Sequence, residues 1–246
     1  MPISPNQGSA AGGTEVTITG TGLANTSAVR FGANLATITG NTPTQVDVVS
    51  PAGHGAADVS VTTAGGTSNA VPFYYIETAT KSSVSPTSGA TAGGNTVTLT
   101  GSNLNTASAI TFGANAGTII SSNAGVVTAT VPAGAAGTVP ITVTTAAGTT
   151  NGLSYTYVAA PTVTAIDPTE GSTAGGTPVT IDGAGLTSTS QVTFAGVAAS
   201  FTVVSDTQLT AVTPAGAAGT ADVTVTTTGG SDTLIAGFTY VAGPGI

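Results

Sequence analysis

The chain has 246 residues, with two Lys+Arg against ten Asp+Glu, a net charge of −8, no cysteine and no tryptophan; disulfides and cysteine-based zinc sites are therefore excluded. Arg30 and Lys81 are its only side-chain cations besides the single histidine, so little is available to neutralise phosphates, which argues against nucleic-acid binding and against adhesion to anionic lipid. No apolar run approaches the roughly 20 residues of a membrane-spanning helix, and Val, Ile and Ala instead interleave with Thr and Ser in the alternation of half-buried strands.

In chain order, Ile3-Ser4-Pro5 comes first, matched later by Val84-Ser85-Pro86 and Ile166-Asp167-Pro168. Proline at this place suits the start of an edge strand, where no ladder donor is required. The stretch from Gly8 through Gly12-Gly13-Thr14 to Leu23 follows, and it recurs at Gly89–Leu104 and Gly171–Leu186 with its spacing unchanged. The paired glycines predict a tight, positive-φ bend before a strand that turns Val16 and Ile18 inward and Glu15, Thr17 and Thr19 outward. Gly22, Asn103 and Gly185 are the residue types that tolerate the left-handed region most readily, and they read as one turn used three times. Leu23, Leu104 and Leu186 then enter the core.

The next strand carries Val29 and Phe31, matched by Ile110 and Phe112 and by Val192 and Phe194, each pair two apart and so on one face. Shorter strands follow with Ile38, Ile119 or Phe201 and with Val46, Val127 or Leu209. Pro51-Ala-Gly53, Pro132-Ala-Gly134 and Pro214-Ala-Gly216 mark a loop before the penultimate strand. The last strand is Phe73-Tyr74-Tyr75, Tyr155-Thr156-Tyr157 or Phe238-Thr239-Tyr240. Its outer two positions face inward, so Tyr74 is the strand aromatic directed to solvent. The joining segments Glu77–Ser83 and Ala159–Thr162 are short and predict limited hinge bending.

The Gly-Gly motifs begin 81 and 82 residues apart, longer than the roughly 20–50 of a solenoid repeat, so each copy is expected to close its own core. Six or seven strands per copy, with no helical period, point to an all-β chain. It is read as three tandem Ig-like β-sandwich domains, 1–77, 78–160 and 161–246, arranged as a rod.

These residues carry a family resemblance. The pattern Pro…Gly-x-x-x-Gly-Gly-Thr-x-Val-Thr-Ile-x-Gly-x-Gly-Leu…Val-x-Phe-Gly…Pro…Gly…Val-x-Val…Phe-x-Tyr resembles the IPT/TIG domain across all three copies, the third inserting Ala195 between Phe194 and Gly196. The resemblance implies an Ig-like fold. It also implies a role as receptor module, dimerisation or DNA-contact module, or surface-protein spacer, and the scarcity of cations disfavours DNA contact here.

No constellation for chemistry emerges. His54 lies in a glycine-flanked loop and has alanine at its counterparts, so it supports neither a catalytic triad nor a metal site. Asp58 and Asp222 precede strands, while Asp167, Glu170 and Asp182 gather in the third copy without the Asp-x-Asp-x-Asp spacing of a calcium loop. Gly-x-x-x-Gly-Gly lacks the lysine of a phosphate loop. Lys81 falls in a joining segment. Tyr74 is the one candidate interaction residue, since aromatics concentrate where proteins bind.

No catalytic residue, cofactor or metal is expected, and the chain reads as a non-enzymatic structural or interaction protein. Its expected role is extracellular or cell-surface spacing, adhesion or self-assembly, although no signal peptide is visible in this chain. The alternatives are a decorating or tail component of a virion or contractile particle, and an array of carbohydrate-binding modules. The last would need aromatic platforms that the core positions already consume.

Overall fold

The computed structural model describes residues 1–244. The chain divides into two compact units. One comprises Met1–Ser85, Val97–Thr130 and Pro140–Leu153; the other comprises Pro86–Thr96, Val131–Val139 and the chain from Ser154 onward.

The first repeat pairs its strands into two sheets. One runs in the order Ile3–Ser4, Glu15–Thr19, Gln45–Val49, Thr37–Asn41, and the other in the order Gln7–Ser9, Val71–Ile76, Ala56–Thr63, Ala28–Phe31, Asn34–Leu35. The third repeat copies this plan. Thr162–Asp167, Pro178–Ala184, Gln208–Val212 and Ser200–Ser205 form one sheet; Glu170–Ser172, Gly230–Val241, Gly219–Thr227, Thr189–Phe194 and Val197–Ala198 form the other. In the middle repeat, Asn115–Ser122 pairs with both Ala109–Phe112 and Val126–Thr130, so one strand serves two ladders. Its counterparts elsewhere are interrupted at Ala36 and Ala199, whose amides turn back to the carbonyls of Val29 and Val192.

Period-two alternation puts one apolar face of each sheet inward. Val16, Ile18, Leu23, Val29, Phe31, Val46, Val48, Val59, Val61, Phe73 and Tyr75 form the buried cluster of the first repeat. Val179, Ile181, Leu186, Val192, Phe194, Leu209, Val223, Val225, Phe238 and Tyr240 form that of the third. On the inner face of one sheet in each repeat, rings pack edge to face, with centroids 5.0 Å apart for Phe31 and Phe73 and 5.5 Å for Phe194 and Phe238. Phe201, expected in the core, is only half-buried and packs on the rim of the third cluster.

The repeated glycine motif has a packing reason. The second glycine, at 12, 93 or 175, has positive φ and lies so close to the Pro-Ala-Gly loop that a Cβ there would stand 2.5–2.7 Å from that loop's backbone. The two most conspicuous motifs of each repeat are thus the two halves of one backbone contact. The turn predicted at Gly22, Asn103 and Gly185 is also present, with φ of 71°, 55° and 71°.

Four expectations are corrected. Among the described residues, strand segments number ten, eight and nine in the three repeats instead of six or seven. The prolines at 5, 86 and 168 do not start an edge strand; they follow a first strand in one sheet and precede a short strand that pairs in parallel with the last strand of the other. A residue without an N–H suits this transfer between ladders. Asp58 and Asp222 lie within strands Ala56–Thr63 and Gly219–Thr227, not before them. Lys81 belongs to the strand Thr80–Ser85 and not to a joining segment. Its stem is half-buried, and its ammonium donates to the carbonyls of Ile141 and Thr150.

Candidate interaction surface

Tyr74 stands in strand Val71–Ile76, in register with Gln7 on one side and Ala56 on the other. Its neighbours Phe73 and Tyr75 are buried, and the alternation leaves Tyr74 49% exposed. It is the only exposed aromatic among the described residues.

The same pleat brings more side chains to this outer face than the sequence reading assigned. Pro72 lies opposite Asp58, Arg30 lies opposite Ser60, and Leu35 lies opposite Arg30. Leu35 is 57% exposed. The Arg30 guanidinium is held on the surface by a 2.8 Å hydrogen bond from Nη1 to the carbonyl of Ala33. A phenol, a guanidinium, a carboxylate and a leucine therefore share one β-face of repeat one. At the corresponding positions the other repeats have Thr156, Thr111 and Ala116, and Thr239, Thr193 and Ala198, for Tyr74, Arg30 and Leu35. The signal was legible, since Arg30 sits between the inward Val29 and Phe31; only its place beside Leu35 needed the register.

Beside this face, Nδ1 of His54 is 2.9 Å from Oε1 of Glu77. Both groups are well exposed, so the pair contributes little to stability. Sequence reading gave His54 no partner, because Glu77 is 23 residues away. A shallow hollow of about 410 Å³ lies between Phe31, Asn34, His54, Asp58 and Tyr75.

The face around Tyr74 also carries a hydroxyl pair, Thr62 with Thr67, and the other repeats pair Thr138 with Thr156, Thr224 with Thr233 and Thr226 with Ser231, at 2.9–3.1 Å. Such pairs satisfy one another across a ladder and leave a neutral surface. Five further carboxylates accept hydrogen bonds from nearby groups. Asp47 accepts from Thr17 and Gln45, Asp182 from Gln208, Asp222 from the amide of Ala236 and Asp232 from that of Val163. Asp206 accepts a 2.7 Å hydrogen bond from the Thr187 hydroxyl and another from the Gly185 amide, which hold its carboxyl below the usual range. Among the described residues no three His, Cys, Asp or Glu side chains come together as a metal would require, and no helix is long and apolar enough to cross a membrane.

The family model for the IPT/TIG domain matches residues 1–75, 79–157 and 161–240. The chain belongs to the IPT/TIG family. No curated protein matches it. Among solved structures, it is similar to the plexin A4 extracellular region at 22% identity over 93% of this chain and 22% of that one, with a TM-score of 0.43. It is similar to a surface glycan-binding protein from a xyloglucan utilisation locus of Bacteroides uniformis at 19% identity, over 68% of this chain and 49% of that one, with a TM-score of 0.32. A third similarity is to the Escherichia coli adhesin FdeC, at 18% identity over 95% of each chain, with a TM-score of 0.34. This IPT/TIG chain spans between about a fifth and three-fifths of the length of the first three structures that it matches. The fold class is thus all-β, with three IPT/TIG, Ig-like repeats.

Proposed function

We propose that the chain is a non-enzymatic spacing and contact protein that works outside the cell. In this reading it is built from domains 1–77, 78–160 and 161–246, and repeat one presents the contact face around Tyr74. The observation that carries this reading is the asymmetry of the outer faces. Tyr and Arg, the residue types richest in binding energy at protein interfaces, lie with Leu35 on one β-face, where the other repeats present threonine and alanine. Repeat two has Lys81 as its one Lys, Arg, Asp or Glu and presents hydroxyl-paired threonines, which suits a spacer, because it adds little long-range charge to steer or repel a partner.

A protein partner fits this face better than a polysaccharide. A sugar platform needs an aromatic surface, and the other ten aromatics are buried or half-buried. The test is to immobilise the full chain and measure binding of purified fibronectin, laminin and collagen beside a set of soluble polysaccharides. Protein binding that Tyr74→Ala and Arg30→Ala each abolish supports the reading. Saturable polysaccharide binding without protein binding, or protein binding indifferent to both substitutions, overturns it.

A further inference from the structure

A strand at the end of a sheet has one unpaired side, which is a template for another chain unless something blunts it. Among the described residues of repeat three, three of the four edges are blunted. One sheet ends in strands of only three and two residues, Glu170–Ser172 and Val197–Ala198. Thr162–Asp167, at one end of the other sheet, is bulged between Val163 and Ala165 and finishes on the carboxylate of Asp167. The fourth edge, Ser200–Ser205, contains neither a charge nor a proline.

The place of its bulge sets this edge apart from its counterparts. In repeat one the ladder to the neighbouring strand has Thr37 opposite Val49 and Ile38 opposite Val48, and then breaks at Thr39. In repeat two it has Thr118 opposite Thr130 and Ile119 opposite Ala129, and then breaks at Ile120. A bulge so early bends and twists the edge out of line. In repeat three the ladder runs through four successive pairs, from Ser200 opposite Val212 to Val203 opposite Leu209, before any irregularity. Four residues therefore keep a regular backbone with an open side.

The side chains on this stretch are equally unguarded. Opposite the core residues Val46 and Val127, the edges of repeats one and two set Asn41 and Ser122; opposite Leu209, repeat three sets Val203. Phe201 and Val203 both turn to the inner side, and both are only half-buried. Thr202 between them is exposed and extends a cross-strand row with Thr210 and Thr180. The nearest carboxylate, Asp206, is engaged by the Thr187 hydroxyl and the Gly185 amide. Those groups follow Pro178–Ala184, which lies across Gln208–Val212 from the edge, so this charge is drawn away from the open side.

We propose that Ser200–Val203 pairs antiparallel with the same strand of a second copy, about a two-fold axis at Thr202. Residues directly opposite in an antiparallel pair share a face. This register sets Phe201 of each copy opposite Val203 of the other on the inner side, which continues the buried cluster that Phe201 packs against. On the outer side the two Thr202 hydroxyls meet, as those of Thr224 and Thr233 do at 2.9 Å within the chain. A second copy is the occupant because the edge is complementary to itself: its two inward apolar residues lie symmetrically about Thr202, and no like charges meet. A slip of one residue would set inward side chains against outward ones. The contact is isologous and closes as a dimer. Two four-stranded sheets become one, and it ends on both sides in the bulged strand Thr162–Asp167.

This inference goes beyond the spacer reading and does not involve the Tyr74 face. The test is sedimentation equilibrium of the full chain across a wide concentration range, beside Thr202→Lys, Thr202→Glu and, on the bulged edge of repeat one, Thr39→Lys. Thr202 is exposed, so its variants are expected to melt close to wild type, yet each sets like charges together at the axis. Wild type and Thr39→Lys are expected to approach twice the monomer mass at high concentration. Thr202→Lys and Thr202→Glu are each expected to stay monomeric, and their equimolar mixture, which pairs lysine with glutamate, to recover the dimer. Hydrogen–deuterium exchange at residues 200–205 should slow as wild type is concentrated and stay unchanged in Thr202→Lys. Monomeric wild type throughout, a dimer indifferent to Thr202→Lys, or a mixture that remains monomeric overturns the proposal. Fibronectin, laminin or collagen binding by Thr202→Lys would leave the Tyr74 reading intact, so the two ideas fail separately.

Discussion

Tyr157 donates its phenolic hydrogen to the carbonyl of Pro132 at 2.8 Å, with Gly134 beneath the same ring. Tyr75 with Pro51 and Tyr240 with Pro214 repeat the bond at 2.9 and 2.8 Å. The last strand of each repeat is thereby pinned to the Pro-Ala-Gly loop, which itself rests on the paired glycines.

Removing the hydroxyl leaves the proline carbonyl without its donor, so Tyr157→Phe is expected to cost about 1 kcal/mol, and Tyr75→Phe and Tyr240→Phe about the same. Gly134→Ala should cost more, about 1–3 kcal/mol, because its Cβ would lie 2.6 Å from the ring. Urea denaturation of the single variants measures both. Equal stability for Tyr157→Phe and wild type would remove the loop pin from the account.

Burial raises the phenols of Tyr75, Tyr155, Tyr157 and Tyr240 above their ordinary value. A folded pKa above the unfolded one means that the unfolded chain loses its protons first. The stability these groups contribute is therefore complete below pH about 10 and falls as pH rises through their folded values. The melting temperature should hold to about that pH and then drop, with tyrosinate absorbance appearing together with unfolding. Tyrosinate forming in a chain that still melts at the neutral-pH temperature would contradict this.

Much of the fold was legible because its signals are local. The inward pairs Val16/Ile18 and Phe73/Tyr75 follow from alternation, and the positive φ of Asn103 from its residue type and its alignment with Gly22 and Gly185. What escaped depends on register between distant segments. Lys81 looked like a joining residue because Thr-Lys-Ser-Ser has no apolar alternation, yet its backbone pairs with Gly101 and its ammonium finds carbonyls 60 and 69 residues away. Tyr74 was visible from its strand alone. Arg30 and Leu35 joined it only once the ladder set them opposite each other.

Lys81 and Asp232 do one job by opposite chemistry. In repeat two a side-chain ammonium on the first strand reaches the carbonyl of Thr150 on the hairpin at 3.0 Å; in repeat three a hairpin carboxylate, Asp232, accepts the first-strand amide of Val163 at 2.7 Å. Lys81→Met and Asp232→Ala should each cost about 1–2 kcal/mol, and Asp232→Asn less, since its amide oxygen still accepts. Burial lowers the Lys81 ammonium from 10.5. Between the lowered value and 10.5 the unfolded chain binds more protons, so this group alone makes stability rise with pH there. Lys81→Met should remove that rise and steepen the alkaline loss driven by the tyrosines, a difference that melting curves from pH about 8 to 11 would reveal.

Gly94 isolates backbone strain from crowding. Its φ is +85°, and a Cβ built there meets nothing within 4 Å. Gly94→Ala should therefore cost about 1 kcal/mol through conformation alone, whereas Gly93→Ala, facing Pro132 backbone at 2.5 Å, should cost more. Equal losses at the two neighbours would show that contact with the proline loop adds nothing.

Tyr74 separates binding from stability. It is half-exposed at the surface of a strand whose neighbours Phe73 and Tyr75 hold the core, so Tyr74→Ala should change unfolding free energy by no more than about 0.5 kcal/mol. The same substitution should abolish a protein contact made through this face, because truncating a central aromatic in an interface commonly costs about 2 kcal/mol or more of binding. Arg30→Ala should weaken the same contact, and Thr239→Ala, at the corresponding position of repeat three, should not. Calorimetric melting paired with surface binding reads both quantities on one preparation. A large stability loss in Tyr74→Ala would mean that the ring serves packing, and an equal binding loss in Thr239→Ala would mean that the contact is spread over the repeats.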